Sequence, residues 1–141
     1  MKQSHMLVLA QFSLIIAITF YAPLWSGWIQ NIFVIIGLVL GIWAIVHMNF
    51  KVSVFPDAKK GQKLIMKGPY TYVRHPMYTS VLLITYVWTL NRFDVITVTL
   101  WILLLITLLV KIRYEEEQLQ KYFRNYSSYT AKTKRLIPFL F

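Results

Sequence analysis

The chain of 141 residues is 57% hydrophobic and 16% aromatic but only 14% charged, with 15 Lys and Arg against 5 Asp and Glu for a net charge of +10. So apolar a composition excludes one small water-soluble domain, and with it a cytosolic enzyme or a secreted disulfide scaffold. The absence of cysteine excludes thiolate nucleophiles and Cys-based zinc or iron–sulfur sites as well.

No charged residue stands between Gln3 and Phe50, which is room for two membrane-crossing helices of about 20 residues each. The first is predicted over residues 6–25, leaving the bilayer at Pro23 and the interfacial indoles Trp25 and Trp28. Lys2 ahead of an apolar stretch also suits a signal peptide, but Tyr21, Ala22 and Pro23 make a poor cleavage site, so the segment is expected to be retained as a span. The second span is predicted over 29–48, forming an antiparallel hairpin with the first across an uncharged loop. Gly37 and Gly41 are a small-xxx-small pair on it, which points to close helix approach.

Residues 49–75 form a long polar connection bearing Lys51, Lys59, Lys60, Lys63, Lys67 and Arg74 against Asp57 alone. A third apolar helix is expected over 76–90; its length of about 22 Å falls short of a full hydrocarbon core. After the polar corner Asn91–Asp94, a fourth is expected over 95–112 and runs into a basic, aromatic tail, 113–141. Lys and Arg concentrate in the long loop and the tail, so the positive-inside rule puts both chain ends and that loop in the cytoplasm, a parity that four spans satisfy. The expected fold is a single all-α integral membrane domain of about four transmembrane helices, with a long cytoplasmic loop and an amphipathic C-terminal helix. Topology and contact with anionic membrane lipids account for the basic excess; no module for reading bases is left over, so nucleic acid is not an expected partner.

Two clusters could carry chemistry. Extending the fourth helix at 100° per residue, with Leu119 at zero, puts Ile112, Glu115, Glu116, Tyr122, Phe123 and Tyr126 within about 60° of it, while Glu117 falls about 160° away beside Lys121 and Arg124. Glu117 therefore reads as a solvated ion-pairing residue. Glu115 and Glu116 share an apolar stripe, where an unpaired charge is expensive and marks a function, unless they reach the headgroups or pair with Lys111 and Arg113. The second cluster is residues 68–78. Pro76 suits the first turn of a helix and holds His75 outside the helical region. Arg74 and His75 then sit at a helix N-terminus, whose dipole and N–H groups favour a carboxylate or phosphate; a positive interfacial anchor with tyrosines is the alternative. His5, His47 and His75 are far apart and form no i, i+4 pair, so no metal site is expected.

The run Lys67, Gly68, Pro69, Tyr70, Thr71, Tyr72, Val73, Arg74, His75, Pro76, Met77, Tyr78 resembles the signature of the isoprenylcysteine carboxyl methyltransferase and phospholipid methyltransferase family. Glu115, Glu116, Leu119, Phe123, Tyr126, Tyr129 and Arg135–Pro138 are similar to that family's C-terminal motif. The sequence departs from the pattern at Ser80, where Gly often stands, and between Phe123 and Tyr126, which lacks a Gly and is one residue short; Glu116 with Glu117 is the alternative carboxylate register. The resemblance implies an integral membrane methyltransferase that uses S-adenosylmethionine and acts on a lipophilic acceptor, a lipid or a prenylated substrate. It implies a cofactor held by Tyr72, Arg74, His75, Pro76, Tyr78, Glu115 and Glu116 under a lid of C-terminal residues, with Arg74 and His75 serving the transfer. These residue types suit such a guest: Arg74 or the helix N-terminus for its carboxylate, Glu115 and Glu116 for its ammonium and ribose hydroxyls, and Tyr72, Tyr78, Tyr122 and Tyr126 for aromatic faces, with interfacial packing the alternative role of the tyrosines. A membrane reductase of related architecture using NADPH, and a non-catalytic lipid-binding membrane subunit, are the alternatives.

Overall fold

In lipid a backbone has no hydrogen-bond partner but itself, and the apolar segments are accordingly helical. The computed structural model describes residues 2–23, 27–48 and 64–138. Over these it holds five α-helices: α1 (Lys2–Tyr21), α2 (Trp28–His47), α3 (Pro76–Asn91), α4 (Val95–Tyr122) and α5 (Tyr126–Lys132), with a 3-10 turn at Gly68–Thr71. Three of them, α1, α2 and α4, are long and apolar enough to cross a membrane. The fourth expected span, α3, has 16 residues and extends about 24 Å. Most of the long loop, with Lys51, Lys59, Lys60 and Lys63, and the indole of Trp25 lie outside the described residues.

The packing is inverted relative to a water-soluble bundle. On α2, Trp28, Ile29, Ile32, Ile35, Ile36, Val39 and Ile42 face outward, while Gly37 and Ala44 are buried. Lipid solvates the large side chains, so the helix contacts are left to small ones. A Cβ on Gly37 would lie 2.6 Å from Ile84 Cγ1, and one on Gly41 2.7 Å from Ser80 Oγ. Ser80 Oγ in turn donates to the Gly37 carbonyl at 2.6 Å. The glycine pair is thus the surface on which α3 approaches α2. The main partner of α1 is α4, so the expected α1–α2 hairpin is not where either helix makes its principal contacts. Ile18 of α1 and Ala22 just after it meet Leu104 and Leu108 of α4 in the core, with Tyr78, Leu82 and Trp101 packed around them.

The corner between α3 and α4 follows from its polar residues. Asp94 accepts from the Thr97 amide at 2.8 Å in a capping box that opens α4. Arg92 donates to the Tyr21 carbonyl at 3.1 Å and Asn91 to that of Pro23 at 3.1 Å, fixing this corner to the end of α1.

In the C-terminal region α4 runs unbroken past the expected end of the span, 112, to Tyr122, as the extended helical wheel anticipates; at about 42 Å it outreaches the hydrocarbon core and carries its last turns beyond it. It stops where Phe123 turns extended (φ −117°, ψ 111°). The expected amphipathic C-terminal helix is therefore the end of α4 plus the separate, seven-residue α5. Beyond α5 Thr133 is extended, and Lys134 forms an isolated parallel bridge with Val73 in the segment entering α3. The Arg74 amide donates to Lys134 O at 2.8 Å, the His75 amide to Arg135 O at 3.0 Å, and the Lys134 amide to Tyr72 O at 3.2 Å. His75 has φ −126° and ψ 57°, outside the helical region as the following proline requires, which leaves its amide available to the tail.

Candidate functional site

The last turns of α4, the start of α3 and the tail converge on two carboxylates. Glu116 Oε1 accepts from Arg74 Nε at 2.7 Å, and Glu116 Oε2 accepts from Arg135 Nε at 3.0 Å. Arg74 Nη1 donates further, to the carbonyl oxygens of Thr130 at 3.2 Å and of Thr133. One guanidinium therefore bridges α4, α5 and the tail, a task that suits its rigid fork of donors. Glu115 Oε1 accepts from the Tyr78 hydroxyl at 2.6 Å. Between the two carboxylates lies the buried His75 ring, with Nδ1 3.4 Å from Glu115 Oε2 and Nε2 3.4 Å from Glu116 Oε1. That ring stacks on Tyr78 with centroids 5.6 Å apart and planes 8° from parallel.

Arg74, His75, Tyr78, Glu115 and Glu116 are thus brought together out of two distant segments, while Glu117 is exposed. Pro76 is buried at the first position of α3 behind them. Tyr72 is not in the cluster: it is 56% exposed and its side chain lines an apolar cavity of about 250 Å3 with Leu40, Trp43, Val73, Thr79 and Leu136. Tyr122 is half-exposed, because the helix ends there instead of carrying the stripe onward. Tyr126 is buried for a different reason than the wheel supposed, since it opens α5 and packs 6.0 Å from Tyr129. The Tyr129 hydroxyl donates to Tyr70 O at 2.7 Å and ties α5 to the 3-10 turn. At the start of α3, the amides of Tyr78 and Thr79 already donate to His75 O, at 3.0 and 3.1 Å. The anion that Arg74 meets is a carboxylate of the same chain. Gln11, Thr130 and Thr133 were not found from the sequence; the last two act through main-chain carbonyls, which no residue type announces.

The electrostatics follow from burial beside charge. Burial pulls the His75 imidazole down, but Glu115 and Glu116 outweigh it, and the ring titrates above its ordinary value. Burial pushes the Tyr129 phenol up to about 12 and that of Tyr126 further, so both stay neutral. A pKa raised on folding means that His75 contributes its full stabilisation below the ordinary histidine value and loses it as the pH climbs through the higher folded one. The stability difference between the protein and His75→Gln should therefore shrink from pH 6 upward, read as thermal midpoints in detergent across a pH series; a difference that widens with pH would contradict a pKa raised on folding.

Comparison with known proteins agrees with this architecture. The family model for phospholipid methyltransferases matches residues 25–126, from the segment before α2 through the carboxylates to Tyr126. No curated protein and no solved structure matches the chain. Because the matched stretch covers most of the sequence and contains both halves of the charged cluster, the chain belongs to the phospholipid methyltransferase family and is an S-adenosylmethionine-dependent methyltransferase of the membrane, held there by several apolar helices.

Proposed function

We propose that the cluster of Arg74, His75, Tyr78, Glu115 and Glu116 is the S-adenosylmethionine site, and that the acceptor is a lipophilic molecule presented from the bilayer. The observation that carries this reading is the pairing of two largely buried carboxylates with a buried histidine at the end of a membrane-crossing helix. The residues present fit the cofactor in kind. Tyr126 Oη is buried without a hydrogen-bond partner among the described residues, which a polar guest would supply. Glu115 and Glu116 would hold the ammonium and the ribose hydroxyls, Arg74 with Arg135 the carboxylate, and Tyr126 would offer an aromatic face.

S-adenosylmethionine supplies a methyl group on an electrophilic sulfonium. What remains for the chain is to align an acceptor and keep water out. His75 stands between two carboxylates that raise its pKa against the effect of burial, a placement that suits it to orient its neighbours. An acceptor needing no base, a carboxylate such as that of a prenylated cysteine, suits this site better than an amine. In the same reading α3 is a fourth, short crossing, and both chain ends and the 49–75 connection face the cytoplasm, where the soluble cofactor arrives. The whole chain then works as one membrane domain.

Calorimetric titration of detergent-purified protein with S-adenosylmethionine tests the site. Glu115→Gln is expected to weaken binding by about 1 to 3 kcal/mol, the usual size of a lost charge-assisted partner, whereas Glu117→Gln should be nearly silent. Equal losses in the two variants would refute the register. Transfer of a labelled methyl group to a farnesylated cysteine derivative or to phosphatidylethanolamine vesicles tests the acceptor. A base-labile methyl ester supports the carboxylate reading, and alkali-stable label on the vesicle lipid overturns it.

A further inference from the structure

Lys111 has no part in the reading above, yet it is a charged group buried among membrane helices. Its side chain is 2% exposed, and Gln11 of α1, also buried, accepts a hydrogen bond from its Nζ at 2.7 Å. A lysine one helical turn before a glutamate ordinarily reaches it as an i, i+4 ion pair. Here no ion pair joins Lys111 to Glu115 among the described residues. Tyr78 contacts both: Nζ lies 5.3 Å from its ring centroid, and its hydroxyl donates to Glu115 Oε1 at 2.6 Å. Three helices thus contribute to one line of contacts, running from the Gln11 amide to the ammonium, the aromatic face, the phenol and the carboxylate.

We propose that Lys111, seated by Gln11, is a positioning residue for the cofactor, acting on Glu115 through Tyr78. This rests on the assignment of Glu115 to the S-adenosylmethionine site. A cation held against a ring face in a dry interior is attracted strongly to it and fixes the ring's place. It also draws electron density from the phenol, which strengthens the hydroxyl as a donor to the carboxylate. Glu115 Oε1 is thereby anchored, and Oε2 keeps its place at His75. Retaining an ammonium at this depth costs stability that an aliphatic residue would not, so a purely structural role is poorly served by it. Gln11 is what makes the position selective, because its carbonyl oxygen draws Nζ toward α1 and the ring instead of toward Glu115 or the headgroups.

The experiment is a double-mutant cycle on S-adenosylmethionine affinity in the full-length protein, with thermal midpoints measured for every variant. Lys111→Met is expected to weaken binding about tenfold while folding normally, and Lys111→Arg, which keeps a cation for the ring, to restore most of the loss. In a Tyr78→Phe background, where no hydroxyl remains to transmit the effect, Lys111→Met should change affinity less than twofold. A full tenfold loss in that background, or no loss in either, overturns the proposal. If Lys111→Met does not fold, Gln11→Leu serves in its place: releasing the ammonium from its seat must weaken binding, and unchanged affinity overturns the proposal equally. Glu115→Gln separates the two readings. Weak binding by that variant with normal binding by Lys111→Met defeats only the role of Lys111, whereas normal binding by Glu115→Gln defeats the site assignment itself.

Discussion

Replacing Glu116 with Gln is expected to lower stability by about 3 kcal/mol and to remove measurable cofactor binding. Both Glu116 oxygens are engaged, one with Arg74 at 2.7 Å and the other with Arg135 at 3.0 Å, and His75 Nε2 stands 3.4 Å from the first. Arg74 and Glu116 side chains are only 10% and 12% exposed. Removing the anion leaves the Arg74 guanidinium without its buried carboxylate and with little water to screen it, and such a stranded charge is what makes a half-broken buried pair costly. Arg135→Ala provides the contrast, because that side chain is 35% exposed and water can replace it; its cost should stay below about 1 kcal/mol. Thermal and chemical unfolding in detergent measure both. Equal costs would mean that burial does not set the strength of this cluster.

Arg74→Ala should come close to the same loss, and Arg74→Lys should recover little of it. The guanidinium presents Nε to Glu116 and Nη1 to the carbonyls of Thr130 and Thr133, so its donors point to α4 on one side and to α5 and the tail on the other. An ammonium on a flexible stem carries the charge but cannot span both sides. We expect a cost of about 2 to 4 kcal/mol for either variant. The tail should also loosen locally: the Lys134 amide, which bonds Tyr72 O at 3.2 Å, should exchange with solvent faster than amides in the middle of α4. Full rescue by lysine, with Lys134 still protected, would show that only the charge matters.

The comparison bears on the alternatives as well. With the family established as methyltransferases using S-adenosylmethionine, neither a nicotinamide-dependent reductase nor a non-catalytic lipid-binding subunit describes the chain. The lipid character of the acceptor agrees with the family.

Much of this architecture was legible in the residues. Uncharged apolar runs determine membrane helices because no other backbone arrangement is satisfied in lipid, and the corner Asn91–Asp94 announced itself through its polar side chains. The inward register of Glu115 and Glu116 against the outward Glu117 followed from helical periodicity alone, which is local and needs no partner. Periodicity failed where the helix stopped: Tyr122 and Tyr126 were placed on a continuing wheel, but Phe123 turns extended and α5 starts a new one. Tyr72 was grouped with the cluster by its place in a motif, yet its side chain lies against the apolar cavity. What only the tertiary structure decided is who meets whom. Gln11 and Lys111 are 100 residues apart, and Arg74 finds main-chain oxygens of Thr130 and Thr133; pairings across the fold and through carbonyl groups leave no trace in residue type or spacing, because they exist only once α1, α3, α4 and the tail have been packed together.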